Sequence, residues 1–117
     1  MDDCIFTIGQ ISKQFGITLR TLRFYESRGL IAPVRQGGRR LYKRADVERL
    51  GIILKAKKFG LTLAECEQLI ADWISQHNFK LSREKCLKQI GILEHKLAEI
   101  TEALAELRQI YTTYVDQ

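Results

Sequence analysis

The sequence predicts a mainly α-helical chain: a winged helix-turn-helix domain over residues 1–76, then one long helix over 82–114 that pairs with another helix. Three observations carry this. Two short amphipathic stretches meet at Gly16 between 7 and 29, a glycine-paired, β-capable stretch lies between 31 and 43, and an unbroken heptad stripe runs through the last third.

The elements follow in order. "TIGQ" at 7–10 has the form of a capping box, and Ile8, Ile11 and Phe15 then recur at helical spacing up to Gly16. Thr18 can cap a second helix through "LRTLRFYESR", with Gly29 as its stop and with Leu19 and Leu22 expected toward the core. "LIAPVRQGGRRLY" holds the only proline and the Gly37-Gly38 pair between two short strands, which predicts a hairpin, or wing, over 31–43. A second helix pair over 45–76 places Val47, Leu50, Ile53 and Leu54 on one apolar face. After Gly60, the "TLAE" cap at 62–65 opens a helix with Cys66, Leu69, Ile70 and Trp73 inward.

In the last segment Ile90, Leu93, Leu97, Ile100, Leu104, Leu107, Tyr111 and Tyr114 alternate by three and four, filling the a and d positions of more than three heptads. So narrow a stripe on so long a helix has too small a domain to bury it. A second copy in a two-fold dimer is the expected partner.

Charge is divided between the halves. Residues 1–60 carry 13 Lys and Arg against 5 Asp and Glu, a net of +8; residues 61–117 carry 6 against 9, a net of −3. The basic half is therefore the one suited to a polyanion such as nucleic acid. Its second helix offers Arg20, Thr21, Arg23, Tyr25 and Arg28 within nine residues, the wing adds Arg35, Arg39, Arg40 and Lys43 beside Tyr42, and the next helix ends in "KAKK". Guanidiniums can fork onto guanine edges or phosphates, and hydroxyls can donate to phosphate oxygens.

Other classes find little support. No apolar run suits a membrane, and "MDDCIF" lacks the basic start of a signal peptide, so a cytoplasmic protein with no membrane partner is expected. Cys4, Cys66 and Cys86 never form a CxxC pair, against a disulfide framework or zinc ribbon. An enzyme using Cys66 or Cys86 would need a base, and only His77 and His95 exist, with no phosphate loop or cofactor motif. No cofactor is expected.

"FTIGQISKQFGITLRTLRFYESRGLIAP" followed by "RRLYKRADVERLGIILKAKKFGLTLAECEQLI" resembles the MerR family of bacterial transcription regulators, and the likeness extends to about residue 110. The resemblance implies a homodimer joined by an antiparallel coiled coil. It also implies double-stranded promoter DNA as the partner, activated or repressed by bending and untwisting, with RNA polymerase reached indirectly through that DNA. It assigns DNA contacts to Thr18, Arg20, Thr21, Arg23 and Tyr25 on the recognition helix, to Arg40 and Tyr42 on the wing, and to Arg39 and Lys57 as phosphate contacts. The dimer contacts are Ile90, Leu93, Leu97, Ile100, Leu104, Leu107 and Tyr111. An architectural DNA-bending protein without an effector is the alternative.

Where many such regulators place a Ser after the wing tyrosine, this chain has Lys43, which cannot accept a backbone N–H. Metal-sensing members place a Cys where Cys86 stands, with partner ligands in a later loop. Here no Cys or His follows His95, and nine residues of helix put His95 ~13.5 Å from Cys86. Heptad phase sets Cys86 at d and His95 at the outer f position. Cys86 is thus expected in the seam, with a metal or redox-sensing regulator as the other alternative.

Overall fold

Thr7 does two jobs at once. It ends strand β1 (Phe6–Thr7) and caps helix α1 (Ile8–Phe15): its Oγ1 accepts from the Gln10 N–H at 3.2 Å while Gln10 Oε1 accepts from the Thr7 N–H at 2.8 Å. The computed structural model describes residues 5–115; Cys4 lies outside them. Gly16 turns the chain in the left-handed region (φ 66°), and Thr18 Oγ1 opens α2 (Leu19–Ser27) by accepting from the Thr21 N–H.

Beyond α2, β2 (Val34–Gln36) and β3 (Arg39–Tyr42) form the expected hairpin. Gly37 and Gly38 both have positive φ, 61° and 78°, the backbone that a two-residue turn needs to follow the twist of its strands. The sheet has a third strand that the sequence reading did not include. β1 pairs antiparallel with β3, with Phe6 opposite Tyr42, so the order is β1-β3-β2 and the wing is stitched to the start of α1. Two residues carry no periodicity, and the pairing spans more than 30 positions.

Helices α3 (Arg44–Lys58) and α4 (Leu63–Gln76) pack against each other. The buried face of α3 is Leu50, Ile52, Ile53 and Ala56, whereas Val47 and Leu54 are only half-buried, a rotation of the expected stripe. On α4, Cys66, Leu69 and Ile70 are buried as the spacing suggests, and Trp73 is half-buried. The core is completed by Ile11, Leu22, Leu30, Ile31 and Leu61. Leu19 is the exception on α2: at the first helical position it remains 41% exposed.

Asp46 holds the junction between the halves of this unit. Its Oδ2 accepts from the Lys43 N–H at 3.0 Å, taking over one side of a capping box, while Oδ1 accepts from the Ala32 N–H at 3.0 Å. The reciprocal side is missing, because Lys43 is the N-cap and makes no side-chain cap bond. Lys43→Ser should therefore raise stability by about 0.5–1 kcal/mol, read as a higher urea midpoint. An unchanged or lower midpoint would show that α3 needs no second cap.

The chain divides into two units, Met1–Lys80 and Leu81–Gln117. The second is α5 (Arg83–Val115), 33 residues opened by Ser82, whose Oγ accepts from the Lys85 N–H. Along it Ile90, Leu97, Ile100, Leu104, Leu107, Tyr111 and Tyr114 are exposed by 43–71%, and Leu93 is half-buried. Among the described residues, no helix is long and apolar enough to cross a membrane.

Candidate nucleic-acid interface

The exposed groups expected to meet DNA are carried on α2, the wing and α3. On α2, Thr18, Arg20 and Arg23 are exposed; Thr21 is half-buried, its Oγ1 2.9 Å from Thr18 Oγ1. On the wing, Arg35 and Arg39 are exposed, and on the last turn of α3 so is Lys57. These groups can reach a phosphate backbone without first breaking a core contact.

Three sequence-predicted contacts stand differently. Tyr25 is 7% exposed and Tyr42 1%, so both rings belong to the core and not to the outer face. Burial pushes both phenols above their ordinary value; for Tyr42 the Glu26 carboxylate adds to the effect, and the guanidiniums of Arg40 and Arg23 oppose it. Arg40 is half-buried and committed: its Nε donates to Glu26 Oε2 at 2.7 Å, binding the wing to the end of α2. The reading of α2 as a basic face missed Glu26, because its partner is 14 residues away and no local spacing signals it. It also missed Phe24, half-exposed beside Arg23 and at 5.9 Å from the Tyr25 ring.

Arg23, Glu26, Arg40 and Tyr42 therefore form one cluster where α2 meets the wing, with Tyr42 beneath the ion pair. Lys57 is not part of it; its charge acts on Cys66 of α4, where it opposes the upward push of burial on the thiol. The Tyr42 hydroxyl is buried with no hydrogen-bond partner among the described residues. Removing it in Tyr42→Phe should raise stability by about 1 kcal/mol, since an unpaired buried hydroxyl costs desolvation and returns nothing. A fall in the thermal midpoint would reveal a partner for it.

Arginines on a capped helix clasped to a glycine-turned wing have the chemistry that suits phosphates and base edges. A model of MerR HTH family regulatory proteins matches residues 6–73, and a second, described as MerR, DNA binding, matches 47–110. The chain belongs to the MerR family. Among MerR-type relatives, the HTH-type transcriptional regulator HmrR of Rhizobium leguminosarum bv. viciae is 30% identical over 88% of this chain and 81% of its own. The transcriptional regulator ZntR of Escherichia coli K12 is 30% identical over 91% and 73%. The same fold is present in MtaN, the N-terminal part of the Bacillus subtilis multidrug transporter activator, at 30% identity and a TM-score of 0.59 over 89% of this chain and 95% of that one. As a MerR-family member, this is a DNA-binding transcription regulator.

The cysteines of this MerR-family chain sit in contrasting places. Cys66 is buried, and burial pushes its thiol up, away from the thiolate that a nucleophile or soft-metal ligand requires. Cys86 is exposed on α5. His95 pairs with Glu99 at 3.3 Å along the helix surface. Among the described residues, no three His, Cys, Asp or Glu side chains gather closely enough to hold a metal ion.

Proposed function

We propose that two copies of this chain join through α5 and bind promoter DNA, with Arg20 and Arg23 reading or clamping the groove and Arg39 and Lys57 holding phosphates. Regulation then follows from bending and untwisting of that DNA in response to an effector, and RNA polymerase is influenced through the promoter alone. The observation that carries this reading is the apolar stripe of α5, left exposed on a chain whose other unit already has a filled core. A free stripe of that length supports a second copy as its cover, and a dimer presents two recognition helices to two half-sites. Bending DNA costs several kcal/mol, which backbone contacts from helix and wing together can offset.

Arg20→Ala with Arg23→Ala tests the DNA side. Each lost base or phosphate contact should weaken promoter binding by about 1–3 kcal/mol and flatten its salt dependence. Undiminished footprinting of the promoter by the double variant would reject α2 as the reading helix.

A further inference from the structure

We propose that a cleft between α3 and α4 is a binding site for a small apolar monocarboxylate, such as an aryl-substituted fatty or acetic acid. Glu48, Gly51, Ile52 and Lys55 recur by three and four residues and share one face of α3. With Trp73 on α4 and Phe79 in the segment after it, they line an open cleft of about 300 Å³. That volume is at the lower end of those that hold small organic ligands.

Two features of this cleft are not required by the packing of the helices. Gly51 stands mid-way along α3, where glycine costs about 1 kcal/mol relative to alanine. A Cβ built there would meet nothing within 4 Å, so no neighbour requires the missing side chain; its absence leaves the cavity floor open. Lys55, in turn, is exposed and holds its Nζ 5.1 Å from the centre of the Phe79 ring. No carboxylate among the described residues pairs with it.

The charges select the ligand. An ammonium at the rim, in contact only with a ring face, gains more from a carboxylate that brings its own apolar body. Lys58, one turn further along α3, adds a second cation on that stretch of the helix. Glu48 lies two turns back along α3, ~10.5 Å away along the axis. It stands clear of an acid group at Lys55 and disfavours a second negative charge at the far end. Trp73, Ile52 and Phe79 supply the apolar walls for a ring or short branched chain.

This proposal does not depend on DNA binding, and its test involves none. The full chain, labelled with ¹⁵N, is titrated with 3-phenylpropionate, 3-phenylpropylamine and 3-phenylpropan-1-ol while the indole N–H of Trp73, the only tryptophan, is followed. The acid should give a saturable shift and bind about ten-fold tighter than the amine. Lys55→Gln should remove about that same factor for the acid and leave the alcohol unchanged. Gly51→Leu should abolish binding of all three by filling the floor; if its helical circular dichroism is lost, the Lys55→Gln comparison decides alone. No saturable shift with the acid, equal or tighter binding of the amine, or an acid affinity untouched by Lys55→Gln would overturn the proposal.

Discussion

Asp46→Ala lowers the unfolding free energy by about 2–4 kcal/mol, the largest stability effect expected within the first unit. The carboxylate is 5% exposed and accepts two backbone N–H groups, one from Lys43 at the start of α3 and one from Ala32 after α2. Charge-assisted bonds of this kind are worth about 1.5–3 kcal/mol each, and truncation leaves both donors without an acceptor. Water can reach some of the loss because Ala32 and Lys43 are themselves exposed, which places the figure below the full sum. Asp46→Asn keeps one acceptor oxygen and should fall about half as far. Urea denaturation of the three proteins gives the ranking; equal midpoints for Ala and wild type would remove Asp46 as the tie.

Leu97→Lys with Leu104→Lys is expected to make the protein a monomer. Both residues occupy the a position in successive heptads, and both are exposed in the single chain, by 64% and 43%. Burying a leucine is worth about 1.5–3 kcal/mol, and a two-fold interface counts each position twice. Even half of that sum, about 3–6 kcal/mol, weakens association by about a hundred-fold to ten-thousand-fold. Sedimentation equilibrium should show one chain for the variant and two for wild type. Promoter affinity should fall with it, because each half-site is then bound separately. A dimeric variant, or a monomeric wild type, would remove α5 as the seam.

Much of this architecture is readable because its signals are local. Thr7 with Gln10, Thr62 with Glu65, and Gly16 each act within one helical turn, and the structure shows each cap where the spacing put it. What escaped sequence reasoning depends on distant partners. β1 is two residues long and exists only because β3 lies beside it. The inward rotation of α3 follows from packing against α4, which favours Ile52 and Ala56 over Val47 and Leu54.

The candidate interface follows the same rule. Arg20, Arg23 and Arg39 stand exposed as their chemistry suggests. Tyr25 and Tyr42 carry hydroxyls that suit phosphate, yet their rings are large and apolar enough for the core to claim them. Arg40 and Arg39 are both expected at DNA, Arg40 with Tyr42 as the wing pair and Arg39 as a phosphate contact; strand alternation leaves Arg39 outward and turns Arg40 toward Glu26.

The Glu26–Arg40 clasp bears on how fast such a regulator finds its target. Each cation set against phosphate steepens the salt dependence by about 0.9 and prolongs residence on random sequence. A guanidinium already neutralised by a carboxylate at 2.7 Å adds little to that indiscriminate grip. Glu26 thus holds the wing to α2 and at the same time takes one charge out of the sum that attracts any stretch of duplex, whatever its sequence.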